Sequence, residues 1–118
     1  MTLDEFFSNQ PLSRQLFEAV HAAIEQVGEA EMRVSKSQVA FRRKRTFAAV
    51  WMPEQYLHRK AAPLVITFSF PHRDPSPRWK EIVEPAPGRF THHLELWAVE
   101  DVDEEVVGWL RQAWAAAG

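Results

Sequence analysis

Leu64, Ile66, Phe68 and Phe70 occupy every second position, with Thr67 and Ser69 between them, and that period places one set of side chains on a single side of a β-strand. The same alternation runs through Met32 and Val34, then Val39 and Phe41, and returns at Leu94, Leu96 and Ala98. Toward both ends of the chain the period changes. Leu12, Leu16, Phe17, Val20, Ala23, Ile24 and Val27 recur at spacings of three and four, as one stripe of a helix does. Pro11 suits the first position of that helix, and Gly28 is placed to end it as a C′ residue. Val102, Val106, Leu110, Ala113 and Trp114 repeat the helical pattern, with Asp101 and Glu104 as an N-terminal cap. Thr2 and Glu5 have capping-box spacing, which predicts a short helix from Leu3 to about Ser8.

Between these helices the polar tetrad Arg43-Lys44-Arg45-Thr46 breaks the alternation before Phe47 to Met52, which reads as a hairpin. Residues 64–70 form a further strand and residues 90–98 another. Five of the eight prolines fall within residues 71–90, a density that argues against strand pairing there. A helical turn from Pro77 to Val83, capped by Ser76, is expected instead. The order predicts an α+β fold: a two-layer sandwich with an antiparallel sheet of about four to five strands. The N- and C-terminal helices pack on one face, in a single domain over residues 1–118.

Composition narrows the function classes. The 46% apolar and 25% charged fractions match an ordinary globular domain. The absence of cysteine excludes disulfides, iron–sulfur clusters, thiol catalysis and thiolate zinc sites. Acids near the N-terminus replace the basic residues of a secretion signal, and no run approaches the roughly 20 apolar residues of a membrane span. A cytoplasmic location without membrane contact is expected. Charge is unevenly spread. Residues 33–89 hold twelve Lys or Arg against four Asp or Glu, whereas the flanks hold two against twelve.

The run Lys36-Ser37-Gln38-Val39-Ala40-Phe41-Arg42-Arg43-Lys44-Arg45-Thr46-Phe47-Ala48 resembles the first hairpin of the family catalogued as domain of unknown function 5655. His92-His93-Leu94-Glu95-Leu96, Asp101-Val102-Asp103, Leu110 and Ala113-Trp114 resemble its ending, so the likeness covers roughly residues 30–115. The resemblance implies a packed module found alone and within longer chains. It carries over no catalytic or binding residue, and the Pro-rich stretch departs from many members.

Two candidate sites follow from the residues. In the first, Lys36, Arg42, Arg43, Lys44 and Arg45, widened by Arg59 and Lys60, could hold nucleic acid or another polyanion. Against this, the tetrad could be a solvated turn paired with nearby acids. In the second, Leu94 and Leu96 facing the helices would turn His93, Glu95 and Trp97 to the outer side. The strand after the basic run is apolar on both faces, with Phe47, Ala49 and Trp51 on one and Ala48, Val50 and Met52 on the other. An apolar row stays outside whichever set faces in, and Trp51 with Trp97 could serve as stacking platforms there. A greasy row on that side needs a cover: the Pro-rich loop with Trp79 and Ile82, a second copy of the chain, or a ligand.

His92 and His93 diverge on a strand, and a metal site would need His58 or His72 brought in by the fold, so no metal ligands are assigned. Ser69, His72 and Asp74 supply triad residue types without a nucleophile elbow, so no catalytic residues and no cofactor are assigned. The resulting expectation is a non-enzymatic binding or interaction module, self-associating as a homo-oligomer or binding a partner through the outer sheet face. The alternatives are polyanion binding at residues 42–45 and a small-molecule enzyme using His93 and Glu95.

Overall fold

Thr2 and Glu5 exchange hydrogen bonds, with Glu5 N–H donating to Thr2 Oγ1 at 3.1 Å and Thr2 N–H to Glu5 Oε1 at 2.9 Å. This box opens α1 (Leu3–Phe6), as its spacing predicts. The computed structural model describes residues 1–53 and 61–118. Pro11 is the first residue of α2 (Pro11–Val27), which buries Leu16, Phe17, Val20, Ala23 and Ile24. Leu12 lies a turn ahead of that set and stays exposed. Ser13 is buried beside it because its hydroxyl donates to the Pro63 carbonyl at 2.7 Å.

Gly28 caps α2, but in extended backbone rather than the left-handed turn expected of a C′ glycine. Its small size answers to a different neighbour. A Cβ at this position would lie 2.5 Å from the ring of Trp114.

Six strands follow: β1 (Glu31–Val34), β2 (Val39–Arg42), β3 (Thr46–Trp51), β4 (Leu64–Phe70), β5 (Glu81–Ala86) and β6 (Arg89–Leu96). They form one sheet in the order β1-β2-β3-β4-β6-β5, antiparallel at every pairing. The α+β class is therefore as expected, with a wider sheet than four or five strands. The added strand is β5, in the segment whose prolines argued against pairing. It lies at the edge, and its register shifts between Val83 and Ala86, so Pro85 sits where no amide is required by a second neighbour. The helical turn expected over residues 77–83 is reduced to a turn at Pro77 and Arg78. Gly88, with φ +74°, makes the tight β5–β6 turn.

Asp103, two residues after the expected cap, starts α3 (Glu104–Ala116), and its carboxylate accepts from the Val106 N–H at 3.1 Å. Asp101 instead closes a 3₁₀ turn (Val99–Asp101), accepting from the amides of Trp97 and Ala98. Helices α2 and α3 share one face of the sheet. The core between them holds Phe17, Val20 and Leu110 against Phe41, Val50, Ile66, Phe68, Leu94 and Leu96. At the β2–β3 bulge, Phe41 faces Ala48 and Arg42 faces Thr46. Phe47 is thus the extra residue, and it joins the core at 1% exposure instead of the outer row.

Residues 71–80 run along the helical side of the sheet. Trp79 lies 4.1 Å from Trp109 and 4.9 Å from His92, centroid to centroid, and donates from Nε1 to Asp74. Arg78 spans to Asp103 and Glu105 of the α3 entrance. Trp79 therefore does not cover the outer face, and Ile82 sits opposite the buried His92. Among the described residues, no helix is long and apolar enough to cross a membrane.

Candidate functional site

The basic tetrad Arg42-Arg43-Lys44-Arg45 does not act as one patch. Arg43 stacks its guanidinium 3.6 Å from the Trp114 ring centroid and donates to the Trp114 carbonyl. The Lys44 amide donates to the Ala117 carbonyl, and Arg45 donates to that of Ala116 at 2.9 Å. These groups bring donors to the last carbonyls of α3, where that of Trp114 also accepts from the Ala117 N–H. Lys36 lies in the β1–β2 turn, at the other end of β2 from the tetrad. Arg59 and Lys60, like His58, fall outside the described residues.

What the tetrad does supply is one wall of a cleft of about 630 Å³ at the end of the sheet. Arg42 and Arg45 come from the β2–β3 hairpin, and Arg89 comes from the β5–β6 hairpin on the other side of β4. The hydroxyl residues Thr46, Ser69 and Thr91 also line it, and among the described residues no Asp or Glu does. Phe90 contributes an aromatic wall, with Arg73 5.2 Å from its ring centroid. Among the described residues, neither Arg42 nor Arg89 forms a salt bridge, although Glu31, the cross-strand partner of Arg42, feels its charge. A broader groove of about 1090 Å³ runs between α2, β1 and Trp114. It mixes Glu25, Glu29 and Glu31 with Arg42 and Arg43, so its charges offset one another.

Periodicity places Phe90 at the start of a strand but does not mark it or Arg89 as site residues, because the prolines argue against β5. The Pro87-Gly88 dipeptide, a turn signal between two short runs, could have exposed the hairpin that presents them.

On the outer face, Trp51, Thr67 and His93 form a chain. Trp51 Nε1 donates to Thr67 Oγ1 at 3.1 Å, and Thr67 Oγ1 lies 2.7 Å from His93 Nδ1. The Thr67 hydroxyl, with one proton and two lone pairs, can accept from Trp51 and either donate to His93 Nδ1 or accept from it, according to the imidazole tautomer. Burial lowers the pKa of His93 below the usual histidine value, aided by Lys80 and opposed by Glu81. Glu95 pairs with Lys80 at 3.1 Å. Trp97 lies past the end of β6, 47% exposed. The face is also less greasy than alternation suggested, because Ala49 and Val65 are only 6% and 1% exposed. Thr67 and Lys80 were missed, the first as one of several strand threonines and serines, the second because it precedes the unrecognised β5.

His92 and His93 diverge as adjacent strand residues must. His92 is fully buried, with Nε2 accepting from the Asp74 N–H at 3.0 Å and Nδ1 3.2 Å from the Phe90 carbonyl. Burial is the main cause of its lowered pKa. The Asp74 carboxylate accepts from Ser76 N–H and Trp79 Nε1, and the His72 ring stacks on Phe70, so both are engaged in packing the strap.

No curated protein and no solved structure matches the chain. The family described as Domain of unknown function (DUF5655) matches residues 3–117, adding α1 and α2 to the segments that carry the resemblance. The chain belongs to the DUF5655 family.

Proposed function

We propose that this domain is a binding module for a phosphate-rich polyanion, single-stranded nucleic acid, held at the cleft between the β2–β3 and β5–β6 hairpins. The observation that carries this reading is the convergence of Arg42, Arg45 and Arg89 on a cleft that no carboxylate lines among the described residues. Guanidinium groups bind phosphate oxygens through paired N–H donors, and release of condensed counterions adds to affinity. Phe90 and the three hydroxyl residues supply a stacking surface and further hydrogen bonds. Arg43 and Arg45 have structural duties at the end of α3, so Arg42 and Arg89 are the principal contacts.

The outer-face cluster supports binding better than acid–base chemistry. His93 Nδ1 is engaged with Thr67, itself held by Trp51, and Glu95 is paired with Lys80, so both polar groups of the cluster are already committed to partners within the face.

The test is fluorescence anisotropy with a labelled single-stranded oligonucleotide at several salt concentrations. Binding that weakens steeply with salt, and weakens further in Arg42→Ala and Arg89→Ala, supports the proposal. No binding at low salt, or retention of full affinity in the double variant, overturns it.

A further inference from the structure

The two edges of the sheet are built differently. β5 carries Pro85 and a register shift, both of which spoil a ladder for any incoming strand. β1 has neither. It is a regular strand of sequence Glu31-Met32-Arg33-Val34, paired among the described residues on one side only. The Ser35 N–H donates to the Gln38 carbonyl next to the β1–β2 turn. That bond sets the phase of the antiparallel ladder. Glu31 and Arg33 exchange hydrogen bonds with β2, and the N–H and C=O groups of Met32 and Val34 point to the open side.

Charge around this edge has a sign change at its centre. Glu29 and Glu31 precede Met32, whereas Arg33 and Lys36 follow it. A second strand of the same sequence laid antiparallel, with Met32 opposite Met32, sets Glu31 against Arg33 twice and brings Lys36 toward Glu29. A parallel arrangement sets like charge on like. The register that matches charge also places the outward groups of Met32 and Val34 opposite their counterparts at Met32 and Ala30. About six main-chain hydrogen bonds would result. Met32 and Val34 pack against the core side of the sheet. The side chains of Glu31 and Arg33 are exposed on the other side and already meet within one strand at 2.7 Å.

We propose that β1 is a self-recognition edge, at which two copies of this chain pair antiparallel about Met32 and continue the sheet across a two-fold axis. A charged edge of this kind discourages strands of other sequence while accepting its own. The isologous geometry closes after two copies and leaves the Pro85 edges outermost, which stops further growth.

The experiment is multi-angle light scattering and sedimentation of the full chain up to high micromolar concentration. The wild-type protein is expected to dimerise, more weakly as salt rises. Glu31→Arg and Arg33→Glu each place like charges across the axis and are expected to be monomeric alone. An equimolar mixture of the two single variants restores opposite charges at every cross-strand pair and is expected to dimerise, as is the Glu31→Arg/Arg33→Glu double variant. Circular dichroism of each variant confirms the fold, since both side chains are exposed. A wild-type monomer at the highest concentration overturns the proposal. So does a dimer that either single variant leaves intact, or a mixture that stays monomeric.

Discussion

The guanidinium of Arg43 lies 3.6 Å from the centroid of the Trp114 ring, and the same indole donates from Nε1 to the Glu29 carbonyl at 2.9 Å. One tryptophan therefore ties the β2–β3 hairpin, the end of α3 and the α2–β1 connection together. Arg43→Ala removes the stacked cation and the bond to the Trp114 carbonyl, and is expected to cost about 1–2 kcal/mol in urea unfolding. Arg43→Lys should recover only part, because an ammonium cannot stack as a planar guanidinium does. Lys44→Ala, which keeps the backbone bond to Ala117, should stay within about 0.5 kcal/mol of the parent.

Two glycines should respond in opposite directions to one methyl group. Gly28→Ala drives a Cβ into the Trp114 ring and is expected to destabilise by about 1–3 kcal/mol. Gly108 lies within α3, and a Cβ there meets nothing within 4 Å. Gly108→Ala is expected to raise stability by up to about 1 kcal/mol through helix propensity. Thermal and urea unfolding of the two variants measure both.

Acid should loosen the fold in two separable stages. His92 and His93 both titrate below the 6.5 of an ordinary histidine, chiefly because burial disfavours their charged forms. The unfolded chain therefore takes up protons first as the pH falls, and stability drops below about pH 6.5 while being insensitive to these groups above it. His92→Gln should flatten the share due to His92, and NMR titration should show both imidazoles still neutral at a pH where exposed histidines are charged.

The second stage belongs to Asp103. Burial raises its pKa, but the Val106 amide and Arg78 outweigh burial and hold it below the usual 3.8. Its contribution is present above that value and is lost as the pH falls through the lower folded-state pKa. Asp103→Ala removes both the helix cap and one of the two carboxylate partners of Arg78, and is expected to cost about 1–2 kcal/mol at neutral pH. Asp103→Asn keeps an accepting oxygen for the Val106 amide and should cost less.

Where local chemistry decided the outcome, the sequence carried it. Thr2 and Glu5, Pro11, and the alternation of Leu64 to Phe70 each specify their element through neighbours a few residues away. Elements decided by distant partners were harder to see. Pro85 is compatible with a strand only because β5 has an edge position, which no local pattern announces. Trp79 reads as part of a Pro-rich loop free to cover the outer face until Trp109 and His92, far along the chain, are placed against it. The candidate cleft was half legible for the same reason: Arg42 and Arg45 stand in a visible basic run, while Arg89 reaches them only across β4.

The placement of β4 bears on how the chain folds. β1, β2 and β3 form a meander of near neighbours, and β5 with β6 forms a second local hairpin. β4 joins the halves by pairing Leu64 with Leu96 and Phe70 with Phe90. That zippering requires closure of the whole 71–89 excursion before its contacts reward it, so it is expected to limit the rate, in the range of roughly milliseconds to seconds. Substitutions along the β4–β6 seam should then slow refolding, whereas those in the first meander should chiefly hasten unfolding.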